Sequence, residues 1–371
     1  MTAAIDVAEP AKTTVDVAIV GAGMAGLHCA QQLQQAGYRV VIVEKSRGLG
    51  GRVATRRLAG TWADHGLRCL EEQGPHTQSL IQLGCDRALL HPWSHPVYQA
   101  DSAGLLPGVV APRYVATHGI TAIAKAKAEG LDIRRGQRVF QLAATDEATW
   151  KLTLEPIASE PLQALQAKAL VMTAPAPQTA ELLAPLVDAG LSRDWVSQVQ
   201  SIEYDPCITA IAAYTNTELA QAQALPWGGV QFALPHALAW IGLDNRKQTV
   251  AQIPVAVVQS SAQFAEQWFD EPDLPTVGRS LLTLAADNLS QVWLQNPAEL
   301  QVHRWRYAFV RSPLRQTCLS TTVPLPLVCG GDWCGGTNLE AALRSGLAAA
   351  NEVNRLLGDR PMPSPSTLTE A

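Results

Sequence analysis

The sequence predicts an α/β protein, α+β overall, built as two lobes. One lobe rests on a doubly wound parallel sheet and the other on a mixed, largely antiparallel one. The first observation is Val15-Asp16-Val17-Ala18-Ile19-Val20, a β-branched run that leads directly into Gly21-Ala22-Gly23-Met24-Ala25-Gly26. That is a strand followed at once by G-x-G-x-x-G, the opening of a Rossmann-like dinucleotide lobe. The second is length: 371 residues exceed what one hydrophobic core ordinarily supports. The third is a group of strand-like segments between residues 205 and 259 followed by helices, which suggests a curved antiparallel sheet with helices on one face.

Each element follows from its residues. Gly21 permits a tight turn, Gly23 lets the main chain approach a pyrophosphate, and Gly26 lets the helix sit close to the strand. The holding is done by backbone amides at a helix N-terminus, so Ala22, Met24 and Ala25 contribute no special side chain. The helix passes through Leu27, Ala30 and Leu33 to Gly37. Tyr38 to Glu44 is the second strand, and Glu44 lies about 20 positions past the last glycine, where a carboxylate grips a ribose. Lys45 and Ser46 then open a second glycine turn. In it Gly50 and Gly51 free backbone amides, and Arg52 offers a fork-shaped donor for phosphate or a ring carbonyl.

Thr61 to Leu67 is expected to be a strand and bend. Asp64, His65, Gly66, Leu67 and Arg68 are candidates to return the backbone to the cofactor, Gly66 allowing close approach; the competing reading is a turn in which Asp64 caps its own backbone and His65 packs. From Gln73 to Pro112 the period breaks, and His91-Pro92-Trp93-Ser94-His95-Pro96 reads as an irregular excursion. Its prolines prevent one helical face from presenting both histidines, so no metal site is expected.

His118 to Ala128 reads as a helix, and Leu131–Arg134, Gln137–Leu142, Trp150–Leu154 and Lys168–Thr173 as strands; resemblance to dinucleotide-binding lobes, in which a strand at this point commonly contacts adenine through its backbone, implies Val139 for that contact. Pro175 and Pro177 stop the sheet and turn the chain outward. Strands are expected over Asp205–Tyr214, Gly229–Ala233, Ala237–Leu243 and Ile253–Gln259, with helices over Ala262–Phe269 and Gly278–Leu289. In Gln301 to Val310 a period of two puts His303, Trp305, Tyr307 and Phe309 on one face, Arg304 and Arg306 on the other. Leu325–Cys329 is a strand, Gly330-Gly331-Asp332-Trp333 a glycine bend ending in an acid, and Asn338 to Leu356 a helix; Asp332, Asn338 and Leu339 are cofactor candidates. The lobes are expected over 1–72, 113–178 and 311–371, and over 73–112 and 179–310. Beyond Gly358, prolines and serines read as a disordered tail.

Composition narrows the function. Charged residues are 16% of the chain and the net charge is −5, with no basic run, so nucleic acid is not an expected partner. The seven cysteines are scattered and odd in number, which reads as reduced thiols in the cytoplasm. The leader Met1 to Thr14 lacks a basic region followed by an apolar block and is not read as a signal peptide; no segment is apolar for the 18 or so residues of a membrane helix.

The second glycine turn resembles the R-x-G-G-R signature of the amine-oxidase-like flavoproteins. More of the chain resembles one group among them, the renalase-like flavoproteins. That resemblance is carried by Lys45 to Arg57, Asp64-His65-Gly66, Trp240 with Asp244-Asn245-Arg246-Lys247, His303 to Ala308, and Gly331-Asp332-Trp333 with Asn338. It implies a noncovalent FAD, a discontinuous two-lobe fold, and oxidation of NAD(P)H isomers reduced at ring positions 2 or 6 to NAD(P)+, with molecular oxygen reduced to hydrogen peroxide. Arg68-Cys69 departs from the group's Gln-Tyr, and His118-Gly119-Ile120 from its Pro-Gly-Met.

Hydride transfer to flavin N5 from a stacked dihydropyridine needs no general base. Trp227, Trp240, Trp305 and Tyr307 are the expected aromatic walls, and His303 a polar orienter. No obligate protein partner is evident. An amine or polyamine oxidase is the competing enzyme; Lys247, the only lysine after Lys168, reads as part of an exposed turn and is a poor candidate for the lysine such enzymes hold near N5. A GTPase-escort-like binding protein without redox chemistry is the third reading, disfavoured by the intact glycine turn, Glu44 and Asp332.

Overall fold

The computed structural model describes residues 14–102, 104–155, 163–250 and 253–363. The leader before Thr14 and the end of the proline-rich tail lie outside these residues. Two large sheets organise the fold. The first runs Val139–Ala144, Trp150–Leu154, Ala164–Met172, Thr14–Val20, Val40–Glu44 and Asp132–Arg135 in spatial order. Its central pairs are parallel, and Leu327–Cys329 also pairs in parallel with Ala164–Met172. Both faces are covered by helices, so its strands carry near-continuous apolar runs rather than alternation. Thr14–Val20 is buried at every position after the first.

The second sheet has seven strands, ordered Glu299–Val310, Tyr204–Ala213, Val255–Ser260, Leu238–Leu243, Gly229–Phe232, Val97–Asp101 and Gly104–Pro107. Every pairing is antiparallel except that of Gly229–Phe232 with Val97–Asp101. The helix Leu274–Leu289 packs Val277, Leu281, Leu282 and Ala285 against one face. The mixed α/β architecture is thus the one the sequence predicts.

Three expectations about the chain's course are corrected. Residues 73–112 are not irregular throughout, since Pro75–Asp86 is a helix. Its amides are capped from far away: His76 N and Thr77 N donate to the Glu340 carboxylate at 3.2 and 2.7 Å. That helix packs Leu80 and Ile81 into the first sheet's core with Leu27 and Leu343, not into the second lobe. Ala176–Leu183, started by proline in its first turn, and Arg193–Gln200, capped by Ser192, likewise place Ala180, Leu183, Trp195 and Val199 against Leu152 and Leu170 of the first sheet. Lys247 is not on an exposed turn: Asp244–Lys247 is a buried 3-10 turn, and its side chain is 2% exposed. Among the described residues no helix is long and apolar enough to cross a membrane.

Candidate active site

Between the two sheets lies a cavity of about 1520 Å³, lined from one end by the glycine turns and from the other by the second sheet. The turns are tied together. Gly50 N donates to Ala22 O at 2.9 Å, and Leu67 N donates to Arg52 O at 2.9 Å. Glycine is required where the main chains close up: a Cβ on Gly26 would stand 2.1 Å from Gly21 O within the first turn, and one on Gly66 would stand 2.0 Å from Arg52 O. Nothing lies within 4 Å of where a Cβ of Gly23 would be, so the first turn opens to the cavity.

Around this opening the predicted residues converge. Glu44 lines the cavity and holds the turn, accepting from Ala22 N at 2.8 Å and Ser46 N at 2.7 Å. Arg52 donates to Asp332 Oδ1 at 2.7 Å and to Ala308 O at 3.1 Å, so the second glycine turn is bound to the last one. Although burial opposes its charge, Asp332 raises the Arg52 pKa above the usual arginine value. Asn338 caps Leu339–Leu357, accepting from Ala341 N at 3.0 Å, and the helix N-terminus with Leu339 faces the cavity. Gly21, Gly23, Met24, Ala25, Lys45, Gly51, Val139 and Leu67 also line it.

A cradle of open amides, a strand-end carboxylate, an arginine and a helix N-terminus in one long cavity fits a dinucleotide such as FAD. His65 adds a buried ring nitrogen, Nδ1, without a hydrogen-bond partner among the described residues, and its residue lines the same space.

The far end is aromatic and basic. His303, Trp305, Tyr307 and Phe309 all line the cavity, but so do Arg304, Arg306 and Ala308 of the other face, because the register with Tyr204–Ala213 shifts at this point and breaks the alternation expected from the sequence. Trp305 Nε1 donates to His65 O at 3.1 Å, and the rings of His303 and Trp305 meet edge to face at 4.3 Å. Arg56 Nη2 lies 3.3 Å from His303 Nδ1. Burial pushes His65 down to about 3, with His303 and Arg56 adding to it, and burial with Arg56 pushes His303 down to about 4. Both imidazoles are therefore neutral at pH 7.

Trp240 lies beneath Arg68, whose guanidinium carbon is 4.7 Å from the ring centre. Arg68 Nε donates to Gln259 Oε1 at 2.7 Å and Nη1 to Gln231 Oε1 at 2.6 Å.

Four predicted site residues stand elsewhere. Trp227 is 1% exposed in the second lobe's core beside Val230 and Leu243, on the sheet face away from the cavity. Asp64 is buried and structural: its carboxylate accepts from Thr55 Oγ1 at 2.7 Å and Ile120 N at 2.8 Å and lies 3.4 Å from Lys247 Nζ. Ala22 and Gly26 shape the turn without lining the cavity. Asp64 is drawn inward because Lys247, also 2.9 Å from Asp244, requires neutralisation there. Burial raises Asp244 to about 6. Burial alone would lower Lys247, but the two carboxylates hold it above its usual value.

Gln231 and Gln259 were missed. Gln231 is the polar position in the otherwise apolar Gly229–Phe232, and Gln259 is the first polar residue after the apolar run of Val255–Ser260; those breaks were the available signal.

A family model described as flavin containing amine oxidoreductase matches residues 106–354, and one for an NAD(P)-binding Rossmann-like domain matches residues 19–82. Over 56 residues the chain is 54% identical to an L-amino-acid oxidase of Siganus canaliculatus, covering 15% of this chain and 11% of that protein. Over 61 residues it is 49% identical to the FAD-dependent oxidoreductase oblC of Cochliobolus heterostrophus, covering 16% of this chain and 11% of that protein.

Two solved structures share the whole architecture. Cyclohexylamine oxidase from Brevibacterium oxydans IH-35A superposes with a TM-score of 0.68 at 13% identity, over 92% of this chain and 99% of the other. Putrescine oxidase with bound putrescine superposes with a TM-score of 0.68 at 15% identity, over 91% and 98%. At such identities the likeness is one of fold.

Proposed function

The chain belongs to the flavin containing amine oxidoreductase family, so its cofactor is FAD, and we propose that it oxidises a small donor at a carbon bonded to nitrogen. Bound FAD supplies the acceptor for the hydride leaving that carbon, and passes the two electrons to oxygen as hydrogen peroxide. The observation that carries the reading is the charge about Trp240 and Trp305: Arg56, Arg68 and two neutral imidazoles, His65 and His303, stand there, and the lining carboxylate Glu71 is paired with Arg113. A positive surround opposes an ammonium ion and favours the amine with its lone pair free, which is the form that can expel hydride to give C=N. Trp305 and Tyr307 wall the donor in and exclude water, and His303, fixed by Arg56, orients it by a hydrogen bond.

One observation also supports oxidation of dihydropyridine isomers of NAD(P)H. Lys247 is committed to Asp64 and Asp244, so it is no proton acceptor in the chamber, and a dihydropyridine loses hydride without deprotonation. Mixing the yellow holoenzyme anaerobically with simple amines, amino acids and borohydride-generated NADH isomers separates the two. Bleaching of flavin absorbance by an amine or amino acid supports the first reading, and bleaching by the isomers alone replaces it with the second. A colourless protein that releases no flavin on heating would sink both.

A further inference from the structure

Arg68 is a partly buried cation, held in place by side chains that do not neutralise it. Its Nε and Nη1 are taken by the amide oxygens of Gln259 and Gln231, and those amides are themselves fixed, Gln259 Nε2 donating to Gly66 O at 2.9 Å and Gln231 Nε2 to Ala239 O at 2.9 Å. Trp240 closes one face of the guanidinium. Among the described residues no carboxylate comes within ion-pair distance of Arg68, and Nη2 has no hydrogen-bond partner; Glu71, which lines the same cavity, is held by Arg113 at 2.8 Å. Neutral amides satisfy hydrogen bonds but form no ion pair, and Glu71 acts on the charge only at longer range, so a partly buried cation is left with a polar edge toward the cavity.

We infer that the free edge of the Arg68 guanidinium, on the Trp240 ring and between Gln231 and Gln259, is the subsite for a carboxylate carried by the donor. The planar fork suits a carboxylate, whose two oxygens can take Nη2 and the remaining Nη1 hydrogen. The proposal rests on the oxidase reading and narrows it: the donor is an amino acid or another amine bearing a carboxylate, and simple monoamines and polyamines are turned away by the same charge. The placement within one chamber of Arg68 and the Trp305–His303 wall lets the anion be anchored at one end and the oxidised carbon presented at the other.

The test is calorimetric titration of the holoenzyme with benzoate, benzamide and benzylamine. Benzoate is expected to bind most tightly, and Arg68→Gln to weaken it by at least about tenfold while changing benzamide little. Gln231→Glu places an internal carboxylate against Nη1 and is expected to weaken benzoate similarly, which keeps the test decisive if the arginine variant does not fold. Benzoate affinity unchanged in the variant that folds, or benzylamine binding more tightly than benzoate, overturns the subsite. Arg68-dependent benzoate binding in a holoenzyme that no donor reduces supports the subsite and removes the oxidase reading. Flavin reduction by simple amines without benzoate binding removes the subsite alone.

Discussion

Lys247, buried, and Arg68, partly buried, are cations beside the same bend, and they have opposite surroundings. Lys247 sits between Asp244 and Asp64 at 2.9 and 3.4 Å, its charge cancelled inside the protein. Arg68, four residues after Asp64, is met by two glutamine amides and an indole. Burial lowers the Arg68 pKa to about 10, so it stays charged at neutral pH. A charge neutralised from within is architecture, and it pins the bend to the second lobe; a charge left open to a cavity faces a ligand. The contrast explains how the Asp64 to Arg68 segment can shape the cofactor end and the donor end together.

The largest effect expected from this contrast is on stability. Lys247→Met strands two buried carboxylates and should cost about 3–5 kcal/mol. Urea unfolding measures it, and a loss below about 1 kcal/mol would show that the pair does not hold the bend. Asp332→Asn should be milder, about 1–2 kcal/mol of lost Arg52 tethering because Arg52 is only half-buried. It is read as faster flavin release on dilution, and unchanged retention would separate Arg52 from the cofactor cradle.

Arg68→Gln should change unfolding stability by less than about 1 kcal/mol, since removing an uncompensated charge offsets the hydrogen bonds lost. If it costs as much as Lys247→Met, the distinction between the two cations collapses.

The smallest effect near neutrality is a pH dependence. His65 and His303 have folded pKa values of about 3 and 4, below the ordinary 6.5. The unfolded chain therefore binds more protons, and their contribution, present in full above pH 6.5, is lost as pH falls toward 4. Thermal midpoints should decline over that window, and His303→Asn should flatten part of the decline; an unaltered slope would mean His303 is not held neutral.

Legibility followed the range of the cause. The glycine turn, Glu44 and Asp332 could be read because strand, turn and acid meet a requirement within a few neighbours. The helix Pro75–Asp86 could not, because its N-terminal amides are satisfied by Glu340 from the last helix. Trp227 and Trp240 have the same chemistry, and only the sheet's two faces separate core from chamber. Asp64 and Arg68 were both placed on the cofactor, although one is drawn inward by Lys247 and the other faces the cavity.

By itself, then, the sequence determined the cofactor cradle, since backbone amides, absent Cβ atoms and a carboxylate at a set spacing are local demands that few residues can meet. The tertiary structure decided the donor chamber. Its walls come from the bend at residues 65–68, from Gln231, Trp240 and Gln259, and from the strand holding His303, Trp305 and Tyr307. Which charges among them are cancelled and which remain open depends on partners up to 247 positions apart, and pairing at that distance exists only once the two sheets have closed on each other.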